Sequence, residues 1–126
     1  MRELLLVALG GAFGSVLRYL FSIGLPMVFD RSLLVTATMV VNILGCVIIG
    51  FLIQWMEARQ LMDTGLRLLV IAGFLGGFTT FSAFGLEAVM LFKESVHNAL
   101  WYIGLQLTLC IGGVWIGLAG CRWLLK

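Results

Sequence analysis

Residues 73 to 84 read GFLGGFTTFSAF, and they lie inside an apolar segment running from about residue 66 to 92. Three glycines (Gly73, Gly76, Gly77), three hydroxyls (Thr79, Thr80, Ser82) and four phenylalanines are poor material for a uniform greasy helix. Adjacent Gly76 and Gly77, followed by Phe78, Thr79 and Thr80, fall near the middle of that segment. One reading is a kink that allows close packing. The other is a break, since unwound backbone at membrane depth is tolerated only when buried in protein or lining a cavity. Broken helices release carbonyls and amides that can hold ions. Carbonyls favour a cation; amides and hydroxyl hydrogens favour an anion.

The chain around this stretch has 126 residues, of which 62% are hydrophobic and 11% charged. Its mean hydropathy is +1.14, whereas in soluble domains roughly a quarter of residues are charged. An integral membrane protein embedded in the lipid bilayer follows. About 20 mostly apolar residues cross the hydrocarbon as a helix, and four such spans can be drawn, at about 4–25, 33–56, 66–92 and 99–125. They make one all-α, four-helix transmembrane domain covering 1–126, with the third helix broken at mid-membrane. The polar connections 26–32, 57–65 and 93–98 are short, so neighbouring helices form antiparallel hairpins. Continuous apolar runs argue against a transmembrane β-barrel, whose strands are alternating segments of about 10 residues. The first run continues through Arg18 without a clear small-residue cleavage site and is read as a span rather than a signal peptide.

The net charge of +2 includes no basic patch for nucleic acid. Arg2, Arg59, Arg67, Arg122 and Lys126 fall on the side holding both termini, against Arg31 and Lys93 on the other. Positive-inside counting therefore favours cytoplasmic termini, offset in part by Glu3, Glu57 and Asp63. Cys46, Cys110 and Cys121 lie within spans without CxxC spacing and read as small lipid- or core-facing residues. His97, the single histidine, falls in a predicted loop, and no triad or zinc site can be assembled around it. The chain does not read as an enzyme.

Polar and ionisable residues inside a membrane are costly and usually face a bundle interior or a wet cavity. Thr38 and Asn42 are four apart and share a face of the second span, where they either hydrogen-bond between helices or line a pore. Tyr102, Gln106 and Cys110 make a longer polar stripe on the fourth span. Arg18 lies near the end of its span, placed to snorkel to headgroups or to concentrate an anion at a vestibule. Glu87 lies in the second half of the third span, near Lys93, as an ion-pair partner or a pore residue. Gly10 and Gly14, Gly73 and Gly77, and Gly113 and Gly117 are GxxxG pairs, which allow close helix approach. Their number suggests more packing faces than one small bundle satisfies, and hence a homodimer.

GFLGGFTTFSAF, the TxxxN of Thr38 and Asn42 with Gly45 after it, and the opening GGAFGSVLRY (residues 10 to 19) together resemble the Fluc (CrcB) family of bacterial fluoride channels. The resemblance extends over all four spans. It implies a four-helix subunit of the bacterial cytoplasmic membrane that forms an antiparallel, dual-topology homodimer. Two fluoride pores would lie at the interface and a structural sodium ion at the dimer centre. By position, Gly76 and Thr79 would offer backbone carbonyls to the sodium. Phe81 and Phe84 match the paired pore phenylalanines, Asn42 the pore asparagine, Tyr102 the first residue of a polar track on the fourth helix, Arg18 the arginine ending the first-span motif, and Glu87 the acidic residue after the phenylalanines. Fluoride is compact and strongly hydrated, so a pore must replace its water with donors. Ser82, Asn42 and Tyr102 carry such hydrogens, with Thr38 and Gln106 beside them, and the positive edges of Phe81 and Phe84 can approach an anion. Three positions depart from the family pattern: Ala83 follows Ser82 where a second hydroxyl is common, and Gln106 and Cys110 stand where small hydroxyl residues are common.

The competing reading is a small proton-coupled multidrug exporter of the four-helix, dual-topology type. Such exporters carry a membrane-embedded glutamate in the first span. Here that span has none, and Glu3 precedes it. A non-transporting assembly subunit explains the glycine pairs but leaves the aligned polar residues without a purpose.

Overall fold

The computed structural model describes residues 1–25, 36–62 and 65–126. Among these residues, four helices long and apolar enough to cross a membrane run through Arg2–Gly24, Ala37–Ala58, Gly65–Glu94 and Val96–Leu124. The first is α1 (Arg2–Gly24) and the second α2 (Ala37–Ala58). The third span is composite: α3 (Gly65–Arg67) passes into a π-helical stretch, Leu68–Leu75, then a last turn α4 (Gly76–Phe78), and resumes as α5 (Phe81–Glu94). The fourth span is α6 (Val96–Leu124).

Helix starts follow from hydroxyl caps. Thr36 Oγ1 accepts from Met39 N at 3.1 Å and opens α2, three residues inside the span start predicted at 33, which lies outside the described residues. Ser95 Oγ accepts from Asn98 N at 3.4 Å and opens α6. Ser95 also terminates α5, in extended conformation, so one residue turns the chain where a loop over 93–98 is predicted. His97 is therefore helical rather than in a loop, with its ring edge toward Trp101 at 6.1 Å between centroids. Of the predicted 57–65 connection, α2 takes up Glu57 and Ala58, and Gln60 carries a positive φ of 57° in the turn that follows.

The glycine pairs are spent inside the subunit, so the packing faces they offer are met within one chain. A Cβ on Gly10 or Gly14 would overlap the carbonyl oxygen of Leu69 or Phe74, and one on Gly77 would fall 2.5 Å from the Gly11 carbonyl. These contacts lay α1 against the first half of the third span, backbone to backbone. Gly117 plays the same part between α6 and α2, where a Cβ would strike the Val47 carbonyl. Without side chains between them the helix axes approach closely, which is how helices associate in lipid, where apolar burial drives nothing. The half of the third span beyond the break packs on α6 instead. The break thus redirects one span from one neighbour to another.

Candidate functional site

The third span breaks at Thr79 and Thr80, one turn later than the Gly76-Gly77 pair suggests. Gly76 keeps helical angles, and its N–H still reaches the Ile71 carbonyl five residues back, the π-helical spacing. Thr79 (φ −83°, ψ 158°) and Thr80 (φ −152°, ψ 120°) are extended. Thr80 Oγ1 then accepts from Ala83 N at 3.3 Å and caps α5, as threonine commonly does at a helix start.

Two side chains from other helices hold the break. Asn42 Nδ2 donates to the Thr80 carbonyl at 2.9 Å while its Oδ1 accepts from Thr80 N at 2.8 Å. The carboxamide thereby replaces both backbone partners that the interrupted helix denies Thr80. Arg18 Nε donates to the Gly77 carbonyl at 3.1 Å, so this guanidinium braces the last turn of α4 as well as lying near the end of α1. Ser82 Oγ lies 3.2 Å from Thr80 Oγ1, on the exposed side.

One turn further along α5, Glu87 collects three hydroxyls from two helices. Thr38 Oγ1 donates to Oε1 at 2.5 Å, while Thr36 Oγ1 at 2.9 Å and the Tyr102 hydroxyl at 2.5 Å donate to Oε2. Hydroxyls rather than Lys93 satisfy this carboxylate. Phe84, 6% exposed, packs its ring on Tyr102 at 5.6 Å between centroids. Phe81 leans on Phe84 at 5.3 Å but is itself 78% exposed. Gln106, 3% exposed, donates from Nε2 to Cys110 Sγ at 3.7 Å.

A cavity of about 380 Å³ lies among α2, the break and α6, with Asn42, Thr79, Thr80, Phe84 and Gln106 on its walls. A second, of about 280 Å³ and on the α1 side, is walled by Ser15, Arg18, Thr38, Thr80 and Ala83. Thr80 is common to both, so the residue clamped by Asn42 is shared between them. One Asn42 N–H remains for a guest after the bond to Thr80, since the carboxamide nitrogen carries two.

The predicted residues thus divide between two cavities that meet at the break: Asn42, Gly76, Thr79, Phe81, Phe84 and Gln106 on the larger, Arg18 and Thr38 on the smaller, with Tyr102 and Glu87 joined by their hydrogen bond. Three residues of the site escape sequence reading. Thr36 lies ahead of the second helix and carries only a cap signal. Gly77 acts through its carbonyl, which no side-chain pattern reveals. Thr80 is visible as a hydroxyl, but its role as the clamped residue depends on Asn42 across the bundle.

Comparison with known proteins agrees with this architecture. The family model described as CrcB-like protein, Camphor Resistance (CrcB), matches residues 5–118. Among similar proteins is one from Methanococcus maripaludis, 42% identical over 121 residues, covering 93% of this chain and 93% of that protein. One from Rhizobium etli is 42% identical over 124 residues, covering 97% and 98%. Another, from Dehalococcoides mccartyi, is 39% identical over 123 residues, covering 93% of each. All three bear the name fluoride-specific ion channel FluC. The match spans all four membrane helices and makes the chain a multi-pass protein of the cytoplasmic membrane. By residues, by fold and by this likeness over nearly its whole length, the chain belongs to the CrcB-like family.

Proposed function

We propose that the protein is a fluoride-selective channel that lets fluoride leave passively across the cytoplasmic membrane and so confers fluoride resistance, with two pores per antiparallel, dual-topology homodimer. The observation that carries this reading is the clamped break: donors and ring edges face a cavity at a point where the helix is interrupted and its backbone tied down. The names of the relatives supply the ion.

In this reading Arg18, on the wall of the smaller cavity, concentrates the anion, since Nε is engaged with Gly77 and the rest of the guanidinium fork is left to attract charge. Past Thr80, the remaining Asn42 N–H, the Ser82 hydroxyl and the edges of Phe81 and Phe84 replace water around the ion. The hydroxyls of Thr38 and Tyr102 are donated to Glu87, so they serve fluoride by exchanging the carboxylate for the anion. Gln106 adds a carboxamide to the far wall.

A structural sodium ion at the dimer centre belongs to the same proposal, held by the carbonyls of Gly76 and Thr79. Their fit rests on lost partners. The Thr80 N–H that a continuous helix would direct to Gly76 goes to Asn42, and the Ala83 N–H that it would direct to Thr79 goes to Thr80 Oγ1. Released carbonyls of this kind suit a small cation.

Fluoride efflux from liposomes containing only the purified protein tests the function. Release should require a counter-ion path such as valinomycin with potassium, as electrogenic flow does. Equal rates for chloride and fluoride contradict selectivity, and release driven only by a proton gradient points to an exporter.

A further inference from the structure

The departures from the family pattern on α6 form a group of their own. Asn42 and Cys46 are one turn apart on α2, Gln106 and Cys110 one turn apart on α6, and all four line the larger cavity. Both thiols are free and half-buried, and a Cβ on Gly113, one turn along α6 from Cys110, would lie 3.5 Å from Cys46 Cβ, so the two thiols sit on the same seam between α2 and α6. Gln106 Nε2 donates to Cys110 Sγ, whereas its Oε1 is buried without any hydrogen-bond partner. An unpaired buried acceptor costs about 1–3 kcal/mol and asks for an explanation, a missing ion among them.

The chemistry of the donors selects the ion. Thiolates prefer soft cations. Among the described residues no group of three His, Cys, Asp or Glu comes together, so a zinc site, which takes four such ligands, does not fit. Two thiols suit a cation content with two sulfurs in line. Ile49, Ile71, Leu75 and Leu107 add apolar wall to the same cavity, which favours a product without net charge. A divalent soft cation meets that condition: each thiol loses its proton to water, two metal–sulfur bonds form, and the dication with two thiolates is neutral. No electron is transferred.

We propose that Cys46 and Cys110, supported by Gln106 Oε1 as a third, weaker donor, form a binding site for a soft divalent cation of the mercuric type, and that its occupancy obstructs the cavity. The obstruction rests on the channel reading given above; the binding does not.

The test uses the full-length purified protein and mercuric nitrate as the probe. Bound metal per chain, thiolate-to-metal absorption in the ultraviolet and maleimide-reactive thiols are measured together, and fluoride efflux is followed in parallel. One ion per chain should consume the Cys46 and Cys110 thiols, and efflux should stop and return with dithiothreitol. Serine or alanine at either position should remove the two-sulfur absorption, while Cys121→Ala, a change at a fully buried site away from the cavity, should leave it. Gln106→Leu should weaken binding about 10-fold, as loss of a supporting partner commonly does. A Cys46→Ser, Cys110→Ser double variant that still binds with the wild-type signature overturns the site, as does a wild-type protein that takes up one ion on each thiol separately. Unchanged efflux from a channel with the site filled overturns the obstruction. Because binding is read directly, a protein that releases no fluoride at all still reports on the site.

Discussion

Asn42 gives both ends of its carboxamide to Thr80, and this decides what its substitution does. Asn42→Ala leaves the Thr80 N–H and carbonyl without their partners, at about 1–3 kcal/mol for each buried group, so thermal stability and flux should both fall. Asn42→Asp keeps an acceptor for the N–H but sets a carboxylate against the Thr80 carbonyl and beside the proposed anion path. Its fluoride flux in liposomes should be lower than that of Asn42→Ala; flux at or above the alanine level contradicts an anion path here. The phenylalanines separate differently. Phe81 is 78% exposed in the subunit and Phe84 only 6%, so Phe81→Ile should leave the melting temperature of the subunit nearly unchanged, while Phe84→Ile loses its contact with Tyr102 and costs about 1–3 kcal/mol. Both should slow fluoride release strongly. If Phe81→Ile transports like the wild type, the ring edges are not part of the path. At this scale the sequence reveals which residues matter better than what they touch. Periodicity puts Thr38 with Asn42 and Tyr102 with Gln106 on shared faces, but it is blind across the bundle, so Glu87 is met by hydroxyls and not Lys93, and Arg18 by a backbone carbonyl.

The broken span shows which parts of an element are local and which are not. Glycines at 76 and 77 signal a weak point, yet both stay helical, because what stops the helix is Thr80, capped by its own hydroxyl and held by Asn42. The span limits were legible from hydropathy to within a few residues, whereas the caps at Thr36 and Ser95 were hidden beside polar stretches that look like ordinary loops. Gly76 and Gly77 also part company in their surroundings. A Cβ on Gly77 would meet α1 backbone at 2.5 Å, while the nearest atom to one on Gly76 is the Ile71 carbonyl at 3.9 Å. Gly77→Ala should therefore separate α1 from the third span and lower subunit stability, a loss visible as a reduced melting temperature in detergent. Gly76→Ala should be tolerated by the subunit itself. Gly76→Leu then becomes a clean probe of anything outside it: loss of the dimer on size exclusion, with helicity retained, is the expected result if two subunits approach at this point. An active, dimeric Gly76→Leu protein contradicts the shared sodium site.

For the whole molecule, the break gives two cavities with one residue, Thr80, in common, and the proposed pore runs past it. Because the GxxxG pairs are consumed within the chain, the proposed antiparallel dimer would rest on the exposed Phe81 face and the released carbonyls rather than on surplus glycines. Tags accessible from opposite sides of the membrane should report both orientations of the subunit; a single orientation would require a dimer of different symmetry. The central claim is that the ion passing this path is fluoride and that it moves as a bare charge. The most direct measurement is the reversal potential of the purified protein in a planar bilayer, with a tenfold fluoride gradient and equal chloride on both sides. A fluoride-selective channel should reverse at about 59 mV, the value for tenfold in a monovalent ion, on the sign set by the fluoride gradient. Reversal near zero, following chloride, would contradict the account.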